Sequence, residues 1–198
     1  YGNEGVLALV SDSTNSQVEG YTESEAHIAE HIKKIFMGAE GRILIATFAS
    51  HIHRLQQIID ISKEFKRKIA FSGRSMLYNM ELAKKIGYIK NFSGMIVDIN
   101  DVNKHGDAHM VVVTTGSQGE LYSSLSLISE GTHKNIRLKE KDTVILSSSI
   151  IPGNEYDIRK LTNRLYKKGV SVFSESSENM IHVSGHASQE ELKTMVSL

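Results

Sequence analysis

Two stretches near the ends of this 198-residue sequence concentrate groups able to handle protons, metals or phosphate. The first is Ser11-Asp12-Ser13-Thr14-Asn15, directly after the apolar run 6–10. A carboxylate at the end of a buried strand is costly unless it is paired, hydrogen-bonded or bound to a cation. Asp12 therefore reads as an Asx turn or helix cap, or as a metal ligand. The second is His182-Val183-Ser184-Gly185-His186, which sets two imidazoles around a Ser-Gly turn. Off a helix, this spacing does not by itself make two imidazoles converge on zinc. An imidazole at a helix start, as His186 would be, can donate to a phosphoryl oxygen or protonate a leaving group near neutral pH.

The elements that must carry these groups alternate. Runs 6–10, 42–47, 68–71, 95–99, 110–114, 142–146, 170–173 and 180–183 are short, apolar and rich in β-branched residues, the pattern of strands buried on both faces. Between them lie stretches with helical spacing. One starts near Glu23 with Ile28, Ile32, Ile35 and Phe36 on one face; others cover 51–66, 74–86, 121–129, 155–168 and 188–198. Gly87 and Gly169 suit helix ends, and Ser188 with Glu191 has capping-box spacing. Such alternation predicts an α/β fold, a mainly parallel sheet with helices on both faces and right-handed crossovers.

In sheets of this kind ligands bind at the carboxyl ends of the strands. Loops 11–15, 47–50, 72–75, 114–120, 147–149 and 184–188 should meet there, and they are rich in Ser, Thr and Gly. Backbone amides at helix starts beside hydroxyls suit a phosphate, although capping alone explains the same composition. No loop has G-x-G-x-x-G or Walker A spacing.

Composition narrows the classes further. Equal numbers of basic and acidic residues, 23 each, exclude a polybasic nucleic-acid glove but leave room for a local groove. Arg42, Arg54, Arg67, Lys68 and Arg74 are candidates for that groove, and Phe48 or Tyr78 for base stacking, against the plainer reading of solvated helix ends and core. With no cysteine there are no disulfides and no thiolate zinc site. The longest apolar runs are far too short to span a bilayer.

Six motifs, in order over almost the whole chain, carry a resemblance. They are Leu9-Val10-Ser11-Asp12-Ser13-Thr14-Asn15; Ala46-Thr47-Phe48-Ala49-Ser50; Gly73-Arg74-Ser75-Met76; Thr114-Thr115-Gly116-Ser117-Gln118-Gly119-Glu120; Leu146-Ser147-Ser148-Ser149 with Ile151-Pro152-Gly153-Asn154-Glu155; and His182-Val183-Ser184-Gly185-His186-Ala187-Ser188. Together they resemble the ribonuclease J family, in the β-CASP group of metallo-β-lactamase-fold nucleases.

The resemblance implies an RNA-processing and RNA-decay enzyme with 5′-to-3′ exonuclease and endonuclease activity, using two zinc ions. It further implies Asp12 as a metal ligand, Glu25 and His186 as catalytic residues, and His182, Ser184, Gly185, Arg74, Ser117 and Gln118 as contacts to RNA or its phosphates. It implies single-stranded RNA as partner, homo-oligomers or hetero-oligomers with a paralogue, RNA-decay complexes, no membrane, and a cytoplasmic location. The competing reading is a phosphate- or nucleotide-binding α/β module without hydrolysis.

The family's H-x-H-x-D-H metal motif is absent from the sequence, and Tyr1 is not a natural start residue. The expectation is therefore a middle piece. Residues 1–20 flank a lactamase-type segment, 21–175 form the β-CASP domain, and 176–198 return towards the lactamase fold with its own strands. Such a piece alone is expected to be inactive and without stable zinc.

Overall fold

Four consecutive buried apolar residues make β1 (Ile43–Ala46), so this strand must lie inside a sheet covered on both sides. The computed structural model, which describes residues 2–90, 93–176 and 180–198, places it at the centre. β2 (Lys68–Ser72), β3 (Met110–Thr114), β4 (Thr143–Leu146) and β5 (Ser171–Phe173) complete a parallel sheet in the order β2-β3-β1-β4-β5. Register sets Ala46 beside Thr114 and Leu146, so the carboxyl ends of the three central strands finish level.

Alternation along β1 divides the core. Ile43 and Ile45 pack with α1 (Glu25–Gly38), α2 (Ile52–Glu64) and α3 (Arg74–Lys85). Leu44 and Ala46 face the opposite layer, with α4 (Ser124–Glu130) and α5 (Glu155–Lys167). Helices on the first layer carry the chain towards the β2 edge, and those on the second carry it towards β5. These crossovers share a single hand, in keeping with the strong right-handed preference of parallel βαβ units. A last helix, α6 (Gln189–Ser197), follows Ser188, whose backbone N–H donates to Glu191 Oε2 at 2.8 Å as one half of a capping box.

Three expected strands do not form as ladders. Run 6–10 is exposed, with Leu7 and Val10 bare, because no described residues cover either of its faces. Within 95–99, one bridge joins Ile96 to Ile69; Asp98 then accepts the Asn100 N–H and turns the chain into a 3₁₀ helix, Ile99–Lys104. Run 180–183 buries Ile181 and Val183 in the α1–α3 layer without pairing to the sheet. Residues 177–179 of the expected return segment lie outside the described residues.

The basic-groove expectation also needs correction, since three of its five residues are buried structural groups. Arg42 meets the Asp142 carboxylate at 3.0 and 2.6 Å. Arg67 donates to the Ala39 and Gly41 carbonyls at 2.7 and 2.8 Å, closing the end of α1 over the Phe36 ring. Arg54 is spent inside the site described below. Each guanidinium satisfies groups that a loop end would otherwise leave buried and unpaired. Arg74 and Tyr78 stay exposed, and Phe48 is half-buried.

Removing one member of the Arg42–Asp142 pair strands the other charge in the core. Asp142→Ala is expected to cost about 3–5 kcal/mol in urea unfolding, and Arg42→Met with Asp142→Leu to recover most of it.

Candidate functional site

Asp12 and His186, far apart in sequence, touch: His186 Nδ1 hydrogen-bonds to Asp12 Oδ2. The other carboxylate oxygen accepts from the Thr14 backbone N–H at 3.0 Å and its hydroxyl at 2.7 Å. These bonds, that from His186 foremost, hold the Asp12 carboxyl well below the usual carboxylate range, so it is an anion at neutral pH. A carboxylate only accepts, so Nδ1 must carry the hydrogen. That leaves Nε2 of a half-exposed ring free to take a proton or, in the imidazolium form, to give one.

Side chains of the 12–22 loop hold the His186 segment in place. Asn15 Nδ2 donates to Ser184 Oγ at 2.9 Å and to the His186 carbonyl at 3.2 Å. The Thr22 hydroxyl lies 2.9 Å from the same carbonyl. Thr22 N–H donates to Glu191 Oε2 at 3.1 Å, the oxygen that also caps α6. Backbone bonds from Gln189 to the Val18 carbonyl and Glu190 to that of Gly20 finish the seam. Ser184 Oγ accepts from Asn15 and from the His186 N–H at 3.2 Å, which leaves its own hydrogen to donate outward. Gly185 is exposed, with open space where a Cβ would stand.

Glu25 belongs to a second, inner group. Its Oε2 accepts from Arg54 Nη2 at 2.7 Å, and His51 Nε2 lies 3.5 Å from Oε1. Arg54 is buried and also reaches Ser147 and the Ile181 carbonyl, immediately before His182. Burial first, then the charges of Arg54 and His51, pushes the His182 imidazole down to about 4. At neutral pH it is an uncharged ring. Of the expected site residues, the structure thus joins Asp12, Ser184, Gly185 and His186 at one rim, with Glu25 and His182 behind them.

The remaining three lie along the strand ends. Arg74 is exposed on a cleft of about 490 Å³, lined also by Ser72, Ser75, Thr115, Tyr122 and His133. Ser117 and Gln118 are buried. The Gln118 amide donates to Ser148 Oγ and the Ser149 carbonyl and accepts from Ile151 N–H and Asn154 Nδ2. It ties the loops after β3 and β4 together.

Asp12 Oδ2 meets His186 and Oδ1 accepts twice from Thr14, and among the described residues no group of three or more His, Cys, Asp or Glu is placed to hold a metal ion, so these residues do not by themselves make a two-zinc site. The geometry makes Asp12 the orienting partner of an imidazole. Sequence patterns did not expose Asn15, Thr22 or the inner role of Arg54, because each acts on a carbonyl or hydroxyl more than 120 residues away.

A family model described as the β-CASP domain of ribonuclease J matches residues 40–165. The chain is 44% identical to Ribonuclease J of Helicobacter pylori strain J99 over all 198 residues, covering 28% of that protein. It is 42% identical over 197 residues to Ribonuclease J of Thermus thermophilus and 40% over 197 to Ribonuclease J2 of Bacillus subtilis, with the whole chain matched and 34% and 35% of those proteins covered. The chain thus spans about a third of the length of these relatives.

His182 gives an acid-side signature. The unfolded imidazole takes up a proton near its ordinary value of about 6.5, whereas the native one waits until about 4. Native stability from this group therefore falls as pH drops through that window. Melting curves at pH 7, 5.5 and 4 are expected to decline less steeply for His182→Gln than for the native sequence.

Proposed function

This chain belongs to the ribonuclease J family, through its β-CASP domain, and from that premise we propose that the protein hydrolyses phosphodiester bonds of single-stranded RNA, with Asp12 and His186 handling the proton at the scissile phosphate. The observation that carries this reading is the Asp12–His186 pair itself. An anchored carboxylate fixes the imidazole's tautomer and leaves Nε2 on an accessible rim.

The pair's neighbours support a phosphate at that rim. Ser184 has a hydroxyl hydrogen to offer, and the open backbone at Gly185 lets a bulky anion approach. As a phosphodiester is cleaved, the leaving oxygen gains negative charge. An imidazolium Nε2–H aimed at it can supply the proton, while Asp12 stabilises the cation and keeps the ring from turning. The inner group holds the neutral His182 ring and its segment beneath this phosphate position.

The RNA path includes the exposed Arg74 cleft at the ends of β2 and β3, on the same edge of the sheet as the loop after β4. With no net charge on the chain, affinity here comes from a few placed donors more than from a general field. The wider reading includes 5′-to-3′ exonuclease and endonuclease action in RNA processing and decay, in the cytoplasm. Oligomers and RNA-decay complexes are the partners it implies. Among the described residues, no helix is long and apolar enough to cross a membrane.

End-labelled single-stranded RNA tests the reading in the protein as the cell makes it. His186→Ala is expected to lower kcat about 10²–10⁴-fold with the fold intact by circular dichroism. Ser184→Ala should weaken RNA binding about tenfold, the scale of one hydrogen bond to a charged group. Full cleavage by His186→Ala would remove the proposal's basis.

A further inference from the structure

The segment that carries His182, Ser184 and His186 is not a strand, and no backbone ladder holds it to the sheet. Its entry point is Ile181, which is completely buried. The Ile181 carbonyl accepts from Arg54 Nη1 at 2.8 Å and from Ser147 Oγ at 2.7 Å.

Arg54 is almost completely buried and has every reach of its guanidinium assigned: Nε to Gln57 at 3.0 Å, Nη2 to Glu25 at 2.7 Å, and Nη1 to Ser147 and Ile181. A planar fork can serve α1, its own α2, the end of β4 and the Ile181 peptide at once; a lysine amine cannot span these directions. The bonds to Ser147 and Ile181 lie where the carboxyl end of β4 meets the site segment.

We infer that Arg54, through its grip on the Ile181 carbonyl shared with Ser147, is a positioning residue that sets the His182–His186 segment for the reaction proposed above. It meets no substrate. Its effect reaches the chemistry through the backbone, since a small shift at Ile181 moves the His186 ring relative to the phosphate. This inference rests on the ribonuclease reading for its kinetic consequence, while its structural content stands apart from that reading.

Two measurements on the intact protein test it. In RNA cleavage, Arg54→Lys should lower kcat thirtyfold or more with KM changed less than threefold; Ser147→Ala, which keeps the charge network and removes one of the two grips, should lower kcat three- to tenfold. The control is Arg67→Lys, another buried arginine at the opposite end of β1. It should lose stability but keep kcat within twofold.

In parallel, the imidazole NMR signals of His182 and His186 should shift in Arg54→Lys and Ser147→Ala and stay in place in Arg67→Lys. If Arg54→Lys does not fold, Ser147→Ala decides. Unmoved signals together with kcat within twofold of the native protein in the folded variants would overturn the inference. An inactive native protein would sink the ribonuclease proposal, with the imidazole signals still judging the grip of Arg54.

Discussion

The contact between His186 and Asp12 is a bond between two loops, and loops alone cannot hold an imidazole in one orientation. Both partners are half-exposed, so the bond has water as a competitor and adds little as a surface ion pair. What makes it persist is the seam around it. Asn15 and Thr22 reach the His186 carbonyl, Glu191 ties the loop to the start of α6, and Thr14 fixes the free oxygen of Asp12. The carboxylate then presents a single orientation, and the ring follows it.

Beneath the seam the sheet acts as a level floor. Because β1, β3 and β4 end in register, the loops that follow them open onto one edge. Those loops are linked to one another. Gln118 bridges the loop after β3 to the loop after β4, and Arg54 joins the end of β4 to α1 and to Ile181. Buried polar groups linked this completely are costly to disturb, since removing one leaves its partners unsatisfied. Rigidity at the rim is thus a property of the buried network, and the exposed pair inherits it.

The parallel core was legible because β1, β3 and β4 read as unbroken apolar runs, and α1 to α3 showed their buried faces at helical spacing. Run 6–10 has the same local pattern yet lies bare, since apolarity reports a preference for burial and cannot say whether a covering layer is present. Run 180–183 shows the opposite limit. It is buried, but its carbonyl is satisfied by side chains, which no period of two can reveal. In the site, the residue types left Asp12 as a cap or a metal ligand and His186 as a group able to handle a proton or a phosphate. That they would meet at one rim followed from the family resemblance and from loops 11–15 and 184–188 sharing the carboxyl edge; the direct hydrogen bond between them did not show, because a contact across such a separation depends on the completed sheet. Arg42, Arg54 and Arg67 looked like solvent-facing cations for the same reason: their carbonyl and carboxylate partners come from distant loops.

The direct test of the account is a double-mutant cycle on RNA cleavage with Asp12→Asn, His186→Gln and both together. A carboxylate whose work is to orient one imidazole loses that work once the imidazole is gone. The double variant should then be no slower than the slower single one. Losses that multiply, with each substitution exacting its full cost in the absence of the other residue, would show that Asp12 and His186 act separately and would contradict the account.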